Sequence, residues 1–360
     1  MRVLSLSLQN FRKFSSKVVE FNSQLTVLLG QNASGKTSII EAIHLLGTGE
    51  SFRAGKVDEM IQFDQELSRV KAEVILGEET DPENLEILLT RGEVQGKKTA
   101  KRLYSLNDVR KRKSDVVGKL ISVAFRPEDM RLVEGSPGRR RQFLDTALCM
   151  LSRQYAWSLS TYEQALKQRN KLLLQVREGE SPRTALHYWD LQLLKHGQIL
   201  QTARSEFLNS FRYVDFPVNF QVEYLLSEIS EDRMAEYLDR SIASGHTLVG
   251  PHKDDFIVKL SAQDSQPESF DVAIYGSRGQ QRLAVLWLKI CELAYSESKV
   301  DDKPVLLLDD IMSELDEHSR EKVFGLMEKY QTIVSTTDED LIEHLHQTRD
   351  NFTVITFTSV

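Results

Sequence analysis

The sequence lacks the features of secreted and membrane-embedded proteins. Its 360 residues include only 2 Cys, Cys149 and Cys291, which lie far apart and without metal-ligand spacing. We expect free thiols in a reducing compartment, because a disulfide framework needs more cysteines. No apolar run approaches the roughly 18 residues of a membrane helix, and the first residues show no signal-peptide pattern. We therefore expect a cytoplasmic protein with no membrane segment.

The sequence also lacks an excess of positive charge, since its net charge is −7. An evenly spread negative charge would disfavour nucleic acid as a partner. However, residues 94–141 contain 14 Lys or Arg against 5 Asp or Glu. Such a local concentration can form a phosphate-binding face on an acidic protein.

The first strong motif is a glycine loop between an apolar strand pattern, residues 25–29, and a helical pattern, residues 37–46. It comprises Gly30, Gln31, Asn32, Ala33, Ser34, Gly35, Lys36 and Thr37, followed by Ser38. The spacing matches the phosphate-binding loop Gly-x-x-x-x-Gly-Lys-Ser/Thr. Its backbone amides and the helix start suit phosphates, so we expect ATP here, with Lys36 on the β and γ phosphates and Thr37 on Mg²⁺. The alternative, a chance turn, is disfavoured by the flanking strand and helix.

Two carboxylates follow a second apolar strand pattern near the other end of the chain. Residues 305–308 precede Asp309 and Asp310. We expect Asp309 to bind Mg²⁺ and Asp310 to orient or deprotonate an attacking water. The alternative is a strand that ends at a solvated acidic turn. The carboxylates alone do not argue against it, but their occurrence together with the glycine loop does.

A third segment precedes the carboxylates. It comprises Ser277, Arg278, Gly279, Gln280 and Gln281. It lies between a strand pattern, residues 270–275, and a helical pattern, residues 280–295. A Ser hydroxyl and free amides at a helix start suit a γ-phosphate. One chain cannot present this loop and the glycine loop to the same phosphate, so we expect it to act in trans in a second subunit. An ordinary helix N-cap is the alternative.

Basic residues cluster before the helical region. The cluster comprises Lys97, Lys98, Lys101, Arg102, Arg110, Lys111, Arg112 and Lys113. Clusters of this kind bind the phosphates of DNA without recognising its base sequence. The alternative is a solvated face of a hairpin with no ligand. Arg139, Arg140 and Arg141 could likewise contact DNA or pair with acidic residues at a lobe boundary. His252 is more often structural than catalytic in such a context.

The periodicity predicts an α/β fold built from both ends of the chain. Strand patterns occupy residues 3–10, 17–21, 25–29, 70–75 and 85–90, then 256–260, 270–275, 305–308, 332–335 and 352–357. Residues 139–211 show two helical seams separated by a breaker at residues 178–182, which predicts a short antiparallel hairpin. We therefore predict a discontinuous head, residues 1–125 plus 246–360, and a mainly helical insertion, residues 126–245.

These motifs, in this order, resemble the RecF family of bacterial recombination-repair ATPases, relatives of the SMC and ABC-type ATPases. The segments that carry the resemblance are residues 8–14, 30–43, 125–129, 139–145, 250–255, 279–282 and 308–316. The resemblance implies an ABC-type P-loop ATPase head, ATP-dependent homodimerisation, binding of double-stranded DNA and single-strand/double-strand junctions, and slow DNA-stimulated ATP hydrolysis. It also implies a role with RecR and RecO in loading RecA at gaps.

The resemblance assigns further residues. Arg12 stands where SMC relatives place an arginine near the phosphates, although a surface arginine is equally plausible. Ser313 and Asp316 would belong to a loop at the dimer interface. Thr337 stands where many ABC ATPases place a histidine near the γ-phosphate.

Some positions depart from the family pattern. Arg278 replaces a small or neutral signature residue, Lys253 replaces an expected arginine, and residues 33–34 are closer to the SMC relatives. Two rival functions remain open: a nucleotide-switched scaffold with incidental turnover, and another SMC-like ATPase. A transporter subunit is disfavoured by the long insertion between the motifs, and a long SMC coiled coil by the short hairpin.

Overall fold

The computed structural model describes residues 1–77, 81–261 and 269–358. Its strands are β1 (Arg2–Phe11), β2 (Phe14–Glu20), β3 (Leu25–Gly30), β4 (Leu67–Ile75), β5 (Glu83–Thr90), β6 (Glu93–Val94), β7 (Lys97–Lys98), β8 (Arg102–Leu106), β9 (Val109–Lys111), β10 (Ser122–Phe125), β11 (Phe220–Leu225), β12 (Asp255–Leu260), β13 (Phe270–Asp271), β14 (Val305–Asp309), β15 (Thr332–Thr336) and β16 (Thr353–Phe357). Its helices are α1 (Lys36–Thr48), α2 (Lys113–Val116), α3 (Arg131–Glu134), α4 (Pro137–Leu151), α5 (Arg153–Arg177), α6 (His187–Ser210), α7 (Glu231–Glu236), α8 (Leu238–Ser244), α9 (Val272–Tyr275), α10 (Arg278–Val300), α11 (Glu317–Lys329) and α12 (Glu339–Thr348).

The chain divides into two compact units. The first comprises Met1–Asp129 and Glu292–Val360, and the second comprises Met130–Cys291. Residues 246–291, which the sequence analysis assigned to the head, therefore belong to the second unit. The reason is strand pairing, because β12 pairs with β11 and β13 in an antiparallel sheet of that unit.

The first unit contains two sheets with α1 packed against both. One sheet is antiparallel, with strand order β2-β1-β4-β5-β8-β9, and the other has the order β10-β14-β15-β3-β16. Nearly every residue of α1 is buried, and its apolar side chains join one core cluster with side chains of both sheets. Because α1 is enclosed in this way, apolar residues occupy more of its surface than the single stripe that is typical of a surface helix.

The order of the second sheet positions the site. Its strands run parallel, and β15 lies between β3 and β14. The central strands are apolar throughout, as expected for strands buried on both faces. Parallel strands end at the same edge, so the loop after β3 and the carboxylates of β14 meet there. The α/β fold predicted for both ends of the chain is confirmed.

The second unit contains the predicted helical hairpin. Helices α5 and α6 are 25 and 24 residues long and pack against each other after a short connection. A buried ionic network ties the hairpin to its surroundings. Arg204 donates to Asp254 and Asp145, and Asp254 is fully buried. Because both partners are buried, removing either side chain would leave an unpaired charge in the interior.

One predicted element is wrong. Residues 270–275 form only the short strand β13 followed by the one-turn helix α9. Asp271 ends the strand because its carboxylate accepts a hydrogen bond from the backbone N–H of Ala273 at 2.8 Å and caps α9. The two cysteines are free, with Cys291 buried and Cys149 half-buried.

Candidate nucleotide-binding site

The glycine loop follows β3 in a conformation that only glycine tolerates at two positions. Gly30 and Gly35 have φ angles of 159° and 105°. A Cβ on Gly30 would lie 2.4 Å from the carbonyl oxygen of Phe357, and one on Gly35 would lie 2.4 Å from Cζ of Phe14. Ala33 is also left-handed, with φ at 63°. The loop therefore curls tightly before α1 begins at Lys36, the arrangement that directs backbone amides toward an anion.

Lys36 lies across its own loop. Its ammonium donates to the carbonyl oxygens of Gly30 at 2.5 Å and Gln31 at 3.0 Å. Burial lowers the pKa of Lys36, and the negative charges of Asp310 and Asp309 oppose that shift. A partly desolvated cation held beside two carboxylates is suited to bind phosphate oxygens.

Thr37, Asp309 and Ser335 form a hydrogen-bonded cluster at the sheet edge. The Thr37 hydroxyl donates to Oδ1 of Asp309 at 2.9 Å, and the Ser335 hydroxyl donates to the same oxygen at 2.7 Å. Burial raises the pKa of the Asp309 carboxyl, although these two hydrogen bonds oppose the shift. A hydroxyl and a carboxylate at this distance fit the sparse protein ligation that Mg²⁺ takes beside nucleotide phosphates.

Asp310 lies just beyond the end of β14 in a left-handed conformation, with φ at 52°. Its N–H donates to the carbonyl oxygen and the hydroxyl of Ser335, both at 3.1 Å. Burial raises the pKa of Asp310, the charge of Lys36 opposes the shift, and the charge of Asp309 adds to it. A carboxylate with a raised pKa is a better proton acceptor near neutral pH than a solvated one.

A cavity of about 600 Å³ opens above the glycine loop within the first unit. Its lining residues are Arg12, Lys13, Asn32, Ala33, Ser34, Gly35, Lys36, Thr37, Ser38, Arg53, Asp58, Glu59, Ile61, Phe63, Arg91, Asp310 and Ser335. Cations outnumber carboxylates in this set, as a polyanion requires. The volume lies in the range of small-molecule sites.

One buried hydroxyl in the loop supports a phosphate ligand. Among the described residues, Oγ of Ser34 is buried without a hydrogen-bond partner. A buried polar atom without a partner costs free energy, and a phosphate oxygen in the cavity would supply one. The residues present therefore fit ATP and Mg²⁺.

Arg12 lines this cavity and is held by a buried carboxylate. Its guanidinium donates to Glu41 through Nε at 2.9 Å and Nη2 at 2.5 Å, and to the carbonyl oxygen of Glu59 at 2.7 Å. Glu41, on α1, is fully buried and also accepts from the Ser51 hydroxyl. The contacts place Arg12 beside the glycine loop without showing a phosphate role, which stays a prediction.

Sequence reasoning missed several cavity residues. Ser335 contacts the carboxylate of Asp309 and the backbone N–H of Asp310, Glu41 orients Arg12, and Lys13 donates to the carbonyl oxygen of Ala33 at 3.1 Å. The available sequence signal for Ser335 was a polar residue at the end of a strand, next to the strand that ends in Asp309. The strand order that makes the two strands neighbours was not evident from local pattern.

The signature segment lies at the start of α10 in the second unit. The Ser277 N–H donates to the side chain of Gln280 at 2.8 Å, and the Gln280 N–H donates to the Ser277 hydroxyl at 3.3 Å. This reciprocal pair is a capping box, so the N-cap alternative describes its local structure. Ser277, Arg278 and Gly279 are nevertheless exposed, which leaves a trans role as a prediction.

Other assigned residues near the first unit's carboxylates are exposed. The Ser313 hydroxyl donates to the carbonyl oxygen of Asp310 at 3.0 Å, and Asp316 caps α11. Thr337 follows β15 and is exposed, whereas Ser335 within the strand lines the cavity. The dimer-loop and γ-phosphate roles of these residues stay predictions.

The basic cluster lies on hairpin β6–β7, at the start of β8, on β9, which is the edge strand of the antiparallel sheet, and at the start of α2. Three of its members pair with acidic groups: Lys101 with Asp58, and Arg102 and Lys113 with Glu50. Within the described ranges, five others are exposed and form no ion pair. These are Lys97, Lys98, Arg110, Lys111 and Arg112. The cluster therefore contains five cations available to phosphates and three that are partly neutralised.

The three consecutive arginines of α4 differ in their surroundings. Arg140 is buried and donates to both carboxylate oxygens of Asp255, at 2.6 and 2.9 Å. Arg141 donates to the carbonyl oxygen of Asp254 at 2.8 Å, while Arg139 is exposed. These contacts match the ion-pairing alternative for Arg140.

His252 lies in a buried hydrogen-bond network of the second unit. Its Nδ1 lies 2.8 Å from the Tyr162 hydroxyl, and its Nε2 lies 2.9 Å from the carbonyl oxygen of Thr247. Burial lowers the pKa of His252 to about 4. A neutral, fully bonded imidazole agrees with the structural role expected for this residue.

The fold and the site define a P-loop ATPase head of the ABC type. A family model described as the RecF/RecN/SMC N terminal domain matches residues 2–358. Among curated proteins, the DNA replication and repair protein RecF of Oceanobacillus iheyensis is 33% identical, over 96% of this chain and 95% of the relative. RecF of Lachnoclostridium phytofermentans is 32% identical, over 99% of this chain and 98% of the relative.

Solved structures agree with this assignment. The recombination mediator protein RecF with ATP, described as part of the RecFOR pathway, has a TM-score of 0.82 and 28% identity, covering 93% of this chain and 92% of that one. An Smc head domain from Pyrococcus furiosus has a TM-score of 0.51 at 15% identity, covers 95% of this chain and 91% of that one, and shows only the shared fold. The chain belongs to the RecF family.

Regarding membranes, no helix within the described parts of the chain combines the length and the apolar character that a bilayer crossing needs.

Proposed function

We propose that this protein is an ATP-gated, DNA-binding ATPase whose two-subunit form closes on double-stranded DNA. The observation that carries the proposal is the cluster of Lys36, Thr37, Asp309 and Asp310, formed from opposite ends of the chain. It combines the groups needed to bind a triphosphate and to activate water in one cavity. The family's named role in DNA replication and repair supports a nucleic-acid partner.

ATP would bind through the loop from Gly30 to Ser38. Lys36 would move from its own loop carbonyls to the β and γ phosphates, and Ser34 would gain a hydrogen-bond partner. Thr37 and Asp309 would hold Mg²⁺, which when bound neutralises charge on the phosphates. These roles follow from donor type and position, and the ATP-bound RecF relative supports them.

Hydrolysis would depend on Asp310. Its carboxylate lines the cavity next to Lys36 and would orient the attacking water and accept its proton. Thr337 would supply a hydroxyl near the γ-phosphate in place of the histidine of many ABC ATPases. A neutral hydroxyl is a weaker electrostatic partner than a positioned imidazole, so we propose slow turnover that DNA stimulates.

The signature segment would complete the site in trans. Ser277, Arg278, Gly279 and Gln280 are accessible at the start of a helix of 23 residues, where backbone amides carry partial positive charge. In a symmetric dimer, each signature would face the γ-phosphate on the other subunit, and Ser313 and Asp316 would lie at the interface. Binding of two ATP molecules would then close the dimer, and hydrolysis would reopen it.

DNA would contact the basic edge strand and its hairpin. Lys97, Lys98, Arg110, Lys111 and Arg112 form the main set, with Lys101, Arg102 and Lys113 partly neutralised by their acidic partners. Arg139 is exposed and would join this surface, whereas Arg140 and Arg141 are engaged within their own unit. The contacts would be to phosphates, so binding would be insensitive to base sequence.

RecR and RecO are the proposed protein partners. The RecF relative of known structure is described as a recombination mediator in the RecFOR pathway. By family resemblance, this protein would help to load RecA at single-strand gaps and at single-strand/double-strand junctions.

Asp310→Asn tests this function against a nucleotide-switched scaffold. The variant should bind ATP and dimerise but lose hydrolysis, because an amide cannot accept the proton from water. Repair of damaged DNA in cells lacking the native gene should then fail. Full repair by this variant would show that turnover is incidental and would favour the scaffold. Asp215→Asn, at an exposed position with no role in the proposed site, is the matched control and should hydrolyse ATP like the parent.

A further inference from the structure

Ser335 is a fully buried hydroxyl residue that nevertheless lines the nucleotide cavity. It lies in β15, and in the parallel pairing of β15 with β14 it stands opposite Asp309, the last residue of β14. The centre of a parallel strand that is buried on both faces is usually occupied by Val, Ile or Leu. A serine at this point therefore suggests that its hydroxyl has a task in the site.

The Ser335 hydroxyl joins the two carboxylate residues of the site. It donates to Oδ1 of Asp309 at 2.7 Å and accepts from the backbone N–H of Asp310 at 3.1 Å. The carbonyl oxygen of Ser335 accepts from the same N–H at 3.1 Å. Because a hydroxyl can donate and accept at once, one side chain restrains both the Asp309 carboxylate and the Asp310 backbone.

Asp310 is held through its backbone on both sides of its Cα. Besides the bonds from its N–H to Ser335, its carbonyl oxygen accepts from the Ser313 hydroxyl at 3.0 Å. Its left-handed φ of 52° is uncommon for a residue with a side chain, and such a conformation persists where surrounding contacts hold it. The backbone that Ser335 holds therefore sets the point from which the Asp310 carboxylate reaches the cavity.

Each of these two contacts has a second group that would remain without the Ser335 hydroxyl. The Thr37 hydroxyl donates to the same oxygen of Asp309 at 2.9 Å, and the Ser335 carbonyl still accepts from the Asp310 N–H. Removing the hydroxyl should therefore loosen the arrangement of the two carboxylates while the strand pairing and the phosphate loop stay intact.

We propose that Ser335 is a positioning residue for ATP hydrolysis, which acts by holding Asp310 in place relative to the metal-binding Asp309. The inference rests on the proposed ATP site and identifies what places its water-activating carboxylate. In-line attack requires the water to be aligned with the metal-bound phosphate, and a small displacement of a catalytic group lowers the rate by a large factor. Ser335 thereby determines turnover and contributes little to ATP binding.

Ser335→Ala separates turnover from binding in the full chain. ATP affinity with Mg²⁺ present, measured by calorimetry, should stay within about twofold of the parent, because Lys36, Thr37 and the loop amides remain. The single-turnover rate of hydrolysis should fall about 10- to 100-fold, as expected when a catalytic group is misplaced. Ser335→Thr keeps the hydroxyl and should retain most of the parent rate.

Ser122→Ala is the matched control. Ser122 lies in β10 of the same parallel sheet and is fully buried, and among the described residues its hydroxyl has no hydrogen-bond partner. This variant should hydrolyse ATP like the parent. Thermal unfolding of the nucleotide-free proteins should show Ser335→Ala folded at the assay temperature, so that lost turnover does not reflect lost structure.

A double variant tests whether Ser335 acts through Asp310. When Ser335→Ala is added to Asp310→Asn, the single-turnover rate should fall by less than about threefold, because the group that Ser335 positions is already lost. If the two substitutions instead multiplied their separate effects on the rate, Ser335 would act independently of Asp310 and the inference would be overturned.

The remaining outcomes distinguish this inference from the proposed function. Hydrolysis by Ser335→Ala at the parent rate, or loss of ATP affinity in step with loss of turnover, would overturn the positioning role. A folded Ser335→Thr variant as slow as Ser335→Ala would do the same. If Asp310→Asn hydrolysed ATP at the parent rate, the proposed ATPase mechanism itself would be wrong. If Asp310→Asn were inactive while Ser335→Ala was unaffected, only the role of Ser335 would be wrong.

Discussion

The hydroxyl of Thr37 donates to Oδ1 of Asp309 at 2.9 Å, although the two residues lie 272 positions apart. Thr37 is the second residue of the helix after the glycine loop, and Asp309 ends a strand near the other end of the chain. The contact joins the two motifs at one edge of the parallel sheet, with the Ser335 hydroxyl on the same oxygen. The proposed site for Mg²⁺ is therefore preorganised by hydrogen bonds among its own ligands.

Asp309→Asn should stabilise the nucleotide-free protein while abolishing Mg²⁺-dependent ATP binding. Burial raises the pKa of Asp309 above its ordinary value of 3.8, so the folded state carries this carboxylate at a cost in free energy. An amide oxygen can still accept from Thr37 and Ser335. The expected result is a higher free energy of unfolding for the variant than for the parent at pH 8, measured by urea denaturation.

The pH dependence of the stability gain in Asp309→Asn provides a control for this prediction. The cost is complete above the raised pKa and disappears below 3.8, so the gain should vanish as the pH falls toward that value. Asp215→Asn, at an exposed position, should show no gain at either pH. An Asp309→Asn variant less stable than the parent at pH 8 would contradict the account of this carboxylate.

His252 should make the protein less stable in mild acid. Its pKa is lowered from 6.5 to about 4 by burial, so the unfolded chain binds a proton in this interval that the folded state does not. Stability contributed by the neutral imidazole is full above pH 6.5 and is lost as the pH falls through the interval toward 4. The loss should reach about 2 to 3 kcal/mol.

His252→Asn removes this titration. Urea unfolding of parent and variant at several pH values should show the variant's stability changing less between pH 6.5 and 4. NMR of the imidazole nitrogens in the parent should show a ring that is neutral at pH 6.5 and becomes protonated only near pH 4. A ring that titrates near 6.5 in the folded protein would refute the prediction.

Removal of Arg12 should destabilise the protein, because the buried carboxylate of Glu41 would lose its partner. Arg12→Ala leaves a fully buried carboxylate without its bidentate donor, and breaking such a pair from one side costs about 3 kcal/mol. Adding Glu41→Gln should restore much of that stability, because the buried charge is removed as well. Thermal unfolding of the single and double variants measures both effects.

The double variant also tests the phosphate role of Arg12 without the complication of instability. If Arg12 contacts the nucleotide, the stable double variant should bind ATP more weakly than Glu41→Gln alone. Equal ATP affinity for these two proteins would show that Arg12 supports the fold of the loop and does not contact the ligand.

Neutralising the exposed basic cations should weaken DNA binding in a salt-dependent way. Changing Lys97, Arg110 and Lys111 to Gln should reduce the slope of log affinity against log salt by about 3, since each phosphate contact contributes about 0.9. Fluorescence anisotropy with a double-stranded probe measures this slope. The matched control changes three exposed lysines of the helical hairpin, Lys167, Lys171 and Lys195. Equal slopes for both triple variants would exclude the basic edge as the DNA surface.

Local motifs predicted the central part of the site. The glycine loop and the carboxylates each follow an apolar strand, and a fully buried parallel strand has a continuous apolar run that is visible in sequence. Placement of Ser335 depends on β15 lying between β3 and β14, and strand order is a long-range property. The pairing of Lys101 with Asp58 likewise joins distant segments and could not be inferred from the charge run.

The incorrect strand at residues 270–275 has a local cause. Its apolar residues fit a strand, but the carboxylate of Asp271 caps a helical turn and ends the pairing after two residues. Side-chain capping competes with strand pairing at such positions, and periodicity alone does not reveal which wins. The assignment of residues 246–291 to the head depended in the same way on an unseen strand partner, β11.

The most direct test of the composite site is ATPase complementation between two inactive variants. Asp310→Asn binds ATP but lacks the carboxylate that activates water, and Ser277→Arg blocks the signature, so each should be inactive alone. Mixed before ATP is added, they should regain about a quarter of the parent activity, because half of the symmetric dimers are mixed and each has one intact site of two. A mixture that stays inactive at concentrations where the parent hydrolyses ATP, or full activity of Ser277→Arg alone, would contradict a site shared between two subunits.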